Sequence, residues 1–332
     1  MELTFSFVIP VYNRPDEIRE LLESMLAQTF RKPYEVVIVE DGSTRSSERI
    51  IDEFSAKLAI SYFKKPNTGP GDSRNYGMRR AKGNYFIILD SDCILPPQYL
   101  EVVAKSLEND FVECFGGPDA AHKSFSLVQK AINYSMTSFF TTGGIRGRKN
   151  AVGTFQPRSF NMGLSKTAFE VVGGFGNIHP GEDPDLSIRL WNRGYATKLI
   201  TEAFVFHKRR IDWGKFFNQV KKFGTVRPIL NTWHPHTAKT TYWFPTVFSL
   251  GLIIALLLAA IGINWPLTLY GIYFTVVFID SLLKNKSITI ALLSLLAVGI
   301  QFSGYGYGFL KSMLFLRLTK KKPQELFPEL FF

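Results

Sequence analysis

Tyr85-Phe-Ile-Ile-Leu-Asp-Ser-Asp92 is the stretch on which the fold turns. Five apolar residues in succession, with no polar alternation, suit a strand covered on both faces, as in a parallel sheet with helices on either side. The run stops at Asp90-Ser91-Asp92, two carboxylates one residue apart. Their repulsion raises the cost of ionising both unless a cation lies between them. A hard divalent ion with oxygen ligands answers that need, with substrate phosphates filling its remaining positions. A turn with helix-capping aspartates is the competing reading of so short a motif.

Working outward, Phe5 to Val11 is a second run, apolar except for Ser6. Asn13 after it offers an N-cap, Pro15 suits a first helical turn, and Asp16 and Glu17 complement the helix dipole, so a helix is expected to about Gln28. Tyr34 to Val39 reads as a strand ending in Glu40-Asp41-Gly42-Ser43, Ser47 to Ala56 as a helix, Ile60 to Phe63 as a short strand and Gly71 to Ala81 as a helix. Strands alternating with helices predict an α/β domain with a mostly parallel sheet. In such sheets ligands bind beyond the carboxyl ends of the strands. Asn13, Asp41 and the pair Asp90 and Asp92 stand at those ends and point to one crevice. Gly69-Pro70-Gly71 is not GxGxxG and no GxxxxGK occurs, so neither a nicotinamide cofactor nor a P-loop nucleotide is expected.

Charge divides the chain. It has 332 residues and net charge +11, yet no charged residue occurs from Thr240 through Ile279 or from Ser287 through Leu310. Thr240–Ile263 and Ser287–Leu310 are each long enough to span about 30 Å of hydrocarbon. Residues 266–283 make a thinner third span, with Asp280 near one end. The positive-inside rule conflicts with three simple crossings: a front domain inside puts Lys284 and Lys286 inside but Lys311, Arg317 and Lys320–Lys322 outside. The glycines and tyrosines of Gly304-Tyr-Gly-Tyr-Gly308 mark the last segment as the expected irregular one. Cys93 and Cys114 have no metal spacing and read as buried thiols of a reducing cytosol. Met1-Glu2-Leu3-Thr4 has neither a basic n-region nor an apolar h-region, so no signal peptide is expected and the front domain is expected to stay cytoplasmic.

With these pieces in order, the chain resembles the family 2 inverting glycosyltransferases. Phe7-Val-Ile-Pro-Val-Tyr-Asn13, Val39-Glu-Asp-Gly-Ser43, Asn67 with Ser73-Arg-Asn-Tyr-Gly77, and Ile88-Leu-Asp-Ser-Asp92 look like its donor-side signatures. Phe160-Asn-Met-Gly-Leu-Ser165, Val172-Gly-Gly-Phe175 and Gly181-Glu-Asp-Pro-Asp-Leu-Ser-Ile-Arg-Leu190 look like its acceptor-side ones. The resemblance covers roughly residues 4–210 and implies a GT-A fold followed by transmembrane helices. It implies a nucleotide-sugar donor, a UDP-sugar favoured, held by Pro10, Tyr12, Asn13, Asp41, Arg74, Asp90 and Ser91, with Asp41 reading the base. It implies Mn2+ or Mg2+ on Asp92 and Asp90, with His207 at the place of a third ligand. It makes Asp183 the general base toward an acceptor hydroxyl and Glu182 the residue that orients the acceptor. His122, His179, His234 and His236 read as surface or interface residues.

The expected organisation is a catalytic domain over 1–207, a basic and aromatic interfacial segment over 208–239, a membrane region over 240–310 (about 240–263, 266–283 and 287–310) and a basic tail over 311–332. Lys208, Arg209 and Arg210 open the interfacial segment. Trp213, Phe216, Phe217, Val220 and Phe223 then recur at helical spacing, and such a helix either lies in the membrane interface or packs on protein. Gln219-Val-Lys-Lys-Phe223 is similar to the QxxRW motif of processive synthases, but Lys222 and Phe223 replace Arg and Trp. Ser124 to Thr142 is an aromatic helix candidate. The cations of residues 143–149 suit a phosphate or headgroup loop or an ordinary solvated one. Such a chain is expected to be integral to the inner membrane, to act on a lipid-linked or membrane-proximal glycan, and to use its positive balance on anionic lipid rather than nucleic acid. The alternatives are transfer to polyisoprenyl phosphate, for which a general base is superfluous, and a non-catalytic membrane protein that binds a nucleotide sugar.

Overall fold

The computed structural model describes residues 2–120, 125–143, 155–207 and 212–332. His122, Ser124, the cationic stretch 144–149, Lys208–Arg210 and Ile211 lie outside the described residues. In chain order the elements are β1 (Phe5–Val11), α1 (Pro15–Leu26), β2 (Glu35–Asp41), α2 (Glu48–Ser55), β3 (Ala59–Lys65), α3 (Pro70–Arg80), β4 (Tyr85–Leu89), β5 (Cys93–Ile94), α4 (Tyr99–Asn109), β6 (Cys114–Gly116) and β7 (Asp119–Ala120). Then come α5 (Leu127–Thr137), α6 (Phe139–Thr142), β8 (Asn161–Ser165), α7 (Lys166–Val172), α8 (Glu182–Asn192), β9 (Thr197–Leu199) and β10 (Val205–His207). The remainder is helical: α9 (Trp213–Trp233), α10 (Phe244–Ala260), α11 (Trp265–Asn285), α12 (Ile288–Leu318) and α13 (Pro323–Leu326).

The chain forms two compact units. One holds Met1–His122, Ile145–Lys208 and Phe332, the other Lys123–Gly144 and Arg209–Phe331. The expected catalytic segment over 1–207 is therefore interrupted, because Lys123–Gly144 belongs with the later helices.

In the first unit a seven-stranded sheet runs β3-β2-β1-β4-β8-β6-β9. The strands β3, β2, β1 and β4 are mutually parallel, β8 is antiparallel to both β4 and β6, and β9 is parallel to β6. The apolar runs explain the layering. Phe5, Phe7, Ile9 and Val11 of β1 join Val36, Ile38, Tyr85 and Ile87 in one core, while Val8, Val37, Val39, Phe86 and Ile88 face the other. Alternate side chains point to opposite faces of a strand, so a run with no polar residue fills two cores at once. Sequence reading missed α4, β6 and β9 and gave β8 no strand character. Asn13 is not the cap of α1: Arg14 occupies that position without a side-chain capping bond, and Pro15 opens the helix as expected. A smaller sheet, β5-β10-β7, pairs β5 and β10 antiparallel with His207 opposite Cys93.

The second unit carries three helices long and apolar enough to cross a membrane, Thr240–Ala260, Trp265–Asn285 and Ile288–Leu318. The last is one continuous helix, which corrects the expectation of an irregular segment. Its glycines serve close packing instead. A Cβ at Gly308 would stand 2.2 Å from the Lys221 carbonyl oxygen, and one at Gly224 would stand 2.1 Å from that of Tyr305. The helices α9 and α12 thus touch backbone to backbone. Phe216 and Val220 of α9 are buried with Ile132 and Met136 of α5 and Ala297 of α12, so this helix packs on protein along that face. Asp280 accepts hydrogen bonds from the Tyr134 hydroxyl (2.7 Å) and the Ser138 hydroxyl (3.1 Å) and pairs with Lys284.

Candidate active site

The carboxyl end of β4 delivers Asp90, Ser91 and Asp92, and the β5–β10 pairing brings His207 beside them. His207 Nε2 lies 3.2 Å from Asp92 Oδ1 and 3.9 Å from Asp90 Oδ2. Its ring stacks on Phe160 at 4.8 Å between centroids, which fixes its plane. Arg14 donates to Asp92 Oδ2. Burial opposes ionisation of Asp92, but the facing His207 ring and the Arg14 guanidinium outweigh it and hold the carboxyl well below the usual carboxylate range. Two buried atoms here, Asp92 Oδ1 and His207 Nδ1, have no hydrogen bond of good geometry among the described residues. One ligand atom each from Asp92, Cys93 and His207 lies within 4.8 Å of the others. Cys93 is an unsuitable ligand, because burial pushes its thiol up and its Sγ–H donates to the Phe160 carbonyl. Carboxylate oxygens and one imidazole nitrogen form a donor set that suits Mn2+ or Mg2+.

A single buried guanidinium ties this end to α8. Arg74 Nη2 donates to Asp90 Oδ1 at 2.7 Å, and Nη1 donates to Glu182 Oε1 at 2.9 Å. The Arg74 side chain is 3% exposed and lies 5.3 Å over the Phe175 ring. His179 Nδ1 meets the same Glu182 oxygen at 3.0 Å. Burial raises the cost of the Glu182 charge, yet His179 and Arg74 bring its pKa down to about 2. Burial works against the His179 imidazolium too, and the Glu182 carboxylate outweighs it, so His179 titrates above its ordinary value.

Gly181 caps α8 with φ +118°, a conformation that favours glycine, and the chain turns there into the acidic first turn of Glu182, Asp183 and Asp185. Asp183 faces Arg158, with Nη1 to Oδ2 at 3.6 Å. Asp185 pairs with Arg189 at 2.9 Å, and Arg189 also donates to the carbonyls of Val172 and Gly174. That arginine secures the Val172–Phe175 turn.

At the ends of β1 and β2, Asn13 and Asp41 organise loops. Asn13 Oδ1 accepts from the backbone N–H groups of Thr44 and Arg45 at 2.8 and 2.9 Å. Asp41 accepts from Lys65 Nζ at 2.6 Å and from the N–H groups of Thr68 and Gly69 at 3.0 and 3.1 Å. Pro10, next to last in β1, is half-buried, Tyr12 is 52% exposed, and Ser91 is buried.

The fold therefore brings Asp90, Asp92, His207, Arg74 and Glu182 into one set of contacts, with Asp183 next in the chain. Arg14 and Arg158 join it although sequence reading passed over them, and His179, read from the sequence as a surface or interface residue, joins it through its contact with Glu182. His179 left a trace in the sequence, three residues before Glu182, and Arg14 directly follows the strand-end Asn13. Arg158 left none, because the segment ahead of β8 that carries it meets the start of α8 only through the fold.

Residues 6–170 match the model of Glycosyl transferase family 2. A glycosyltransferase of Rickettsia felis, itself uncharacterized, is 34% identical over 143 residues, 42% of this chain and 22% of the relative. The match spans less than a third of the length of this and the next curated relatives. The mannosyltransferase PcManGT from Pyrobaculum calidifontis, solved with GDP-Man and Mn2+, superposes with a TM-score of 0.59 at 15% identity, over 96% of this chain and 88% of that one. Residues 1–349 of S. aureus TarS, solved with UDP-GlcNAc, give a TM-score of 0.50 at 17% identity, over 93% and 91%. At these identities the likeness is one of fold, and that fold is the GT-A arrangement the sequence resemblance implied.

Proposed function

Because residues 6–170 are a family 2 glycosyltransferase domain, we infer that this chain moves a sugar from a nucleotide-sugar donor to an acceptor hydroxyl with inversion at the anomeric carbon. The observation that carries the reading is Arg74. Its guanidinium holds a carboxylate of the Asp90–Asp92 pair and the carboxylate that opens α8, so the donor-side and acceptor-side groups share one rigid support.

Asp183 takes the proton of the attacking hydroxyl. Glu182, buried and ionised, orients the acceptor side of the cleft. Arg74 is committed at both ends and acts through its two carboxylates. Asp92 and His207, with Asp90, would hold Mn2+ or Mg2+. When bound there, such an ion offsets the negative charge that builds on the diphosphate as the sugar leaves. Asp41 and Asn13 shape the loops against which a base rests, Pro10 and Tyr12 line the end of β1, and Ser91 sits within the donor turn. A UDP-sugar is the favoured donor, and the fold likeness to a protein solved with UDP-GlcNAc is consistent with it. The three long apolar helices support a membrane anchor, and the reading adds that the membrane is the inner one, that the catalytic unit faces the cytoplasm and that the acceptor is lipid-linked or membrane-proximal.

The test is transfer of radiolabelled sugars from a panel of nucleotide donors into membrane lipid extract. Wild type should incorporate label, and Asp183→Asn should lose about 10²–10⁴-fold, the usual contribution of a positioned base. Equal incorporation by the two proteins would refute the mechanism. Donor binding without incorporation from any donor would favour a non-catalytic nucleotide-sugar-binding protein.

A further inference from the structure

We propose that the acceptor carries an oxyanion, carboxylate or phosphate, on the same unit as the hydroxyl that is glycosylated, and that Arg158 reads it. The inference rests on Asp183 being the base, and it deepens that reading by naming the chemical class of the acceptor.

Three arginines meet the first turns of α8. Arg74 is held at 2.7 and 2.9 Å and is nearly inaccessible. Arg189 is spent on Asp185 and two carbonyls. Arg158 differs from both. Its distance to Asp183 is 3.6 Å, looser than the ~2.7–2.9 Å of a charge-assisted bond. Its buried Nε, like that of Arg74, has no hydrogen-bond partner among the described residues, so it is the looser hold and the greater exposure that set Arg158 apart. Its side chain is 20% exposed and that of Asp183 15% exposed, so both are largely covered yet open to a ligand.

The chemistry explains why a loose arginine beside the base needs a second partner. In the transfer step the acceptor oxygen bonds to the anomeric carbon, and the bond from that carbon to the diphosphate breaks with its electron pair on the leaving oxygen. The acceptor proton passes to Asp183. At that moment the carboxylate that faces Arg158 becomes neutral, and a largely buried guanidinium loses its counter-charge, which is costly. A neutral acceptor offers no remedy. An oxyanion on the acceptor matches the planar guanidinium fork and keeps it paired through the step. It also draws Arg158 off the carboxylate that must receive the proton.

The test is saturation-transfer NMR on the full chain in detergent micelles. Methyl β-glucuronide and glycerol 3-phosphate serve as oxyanion probes, and methyl β-glucoside and glycerol are their neutral counterparts. Wild type should bind at least one oxyanion probe about tenfold or more tightly than its counterpart, the size of one charge-assisted hydrogen bond. The probe preferred tells carboxylate from phosphate. Arg158→Gln should bring the ratio close to one while neutral-probe binding, which reports a folded cleft, is kept. Arg158→Lys should recover part of the preference. Asp183→Asn should tighten oxyanion binding several-fold, because the internal competitor for Arg158 is gone, even though transfer is lost. Equal binding of charged and neutral probes by wild type, or a preference that survives Arg158→Gln, would overturn the proposal. The readout needs no donor, so failure of the transferase reading, seen as no incorporation by wild type from any donor, is a separate result.

Discussion

Glu182 is a carboxylate taken out of water and kept charged by two neighbours, and its protonation should be visible in stability. Its pKa falls from an ordinary 4.5 to about 2, so its contribution is complete above about 4.5 and is lost as the pH falls from there toward about 2. His179 moves the other way, to above 6.5, so its contribution is complete below about 6.5 and disappears as the pH rises through the raised value. The pair therefore stabilises fully only between roughly 4.5 and 6.5. Thermal unfolding followed across pH should show a decline above that window in wild type, and His179→Gln should remove this decline. Arg74→Gln leaves Glu182 with one cation in place of two. Breaking a buried pair in this way costs about 3–5 kcal/mol, to be read as a large loss of thermal stability together with loss of transfer. Reduced activity with unchanged melting would contradict the supporting role of Arg74.

Elements here meet where side chains are smallest. The α9–α12 contact has Gly224, Gly304 and Gly308 at its seam, and a Cβ at Gly304 would come within 2.6 Å of a Val220 methyl. Gly304 and Gly308, read along the chain, suggested an irregular span. A helix tolerates glycine when a second helix presses against it, because the close approach returns packing that the missing side chain gave up. Gly308→Val should force α9 away from α12 and lower stability by about 1–3 kcal/mol or more, the usual cost of overpacking. Gly299→Val on the same helix meets nothing within 4 Å and serves as the control. Melting of the full chain in detergent compares them, and equal melting of the two variants would argue against the tight seam.

For the whole molecule, the predictions concern the metal and the membrane. Chelation by EDTA should abolish transfer, and Mn2+ or Mg2+ should restore it. Titration calorimetry should show Mn2+ binding weakened at least about tenfold in His207→Ala, as expected for the loss of one ligand or its support. Full transfer in chelator would exclude a metal role for Asp92. The chain should sediment with membranes and be released by detergent but not by alkaline carbonate, as expected for helices with this much apolar surface.

Sequence alone determined the strands β1, β2 and β4 and the polar groups at their ends, because a doubly buried strand must be mostly apolar, with polar exceptions such as Ser6 and Glu35 hydrogen-bonded to one another, and its ligands gather where it stops. The acidic start of α8 and the three apolar helices were legible for the same reason: each is a local pattern that burial or a helix dipole dictates. What only the tertiary structure decided lies in contacts between distant segments. His207 meets Asp92 through a two-residue antiparallel pairing too short to leave a periodicity. Lys123–Gly144 leaves the catalytic unit for the helical one because its apolar face finds α9 and α12 there. His179 and Arg158 joined the site for a further reason. A lone histidine or arginine acquires meaning only from the carboxylate it faces, and the partner across the cleft is set by packing rather than by spacing along the chain.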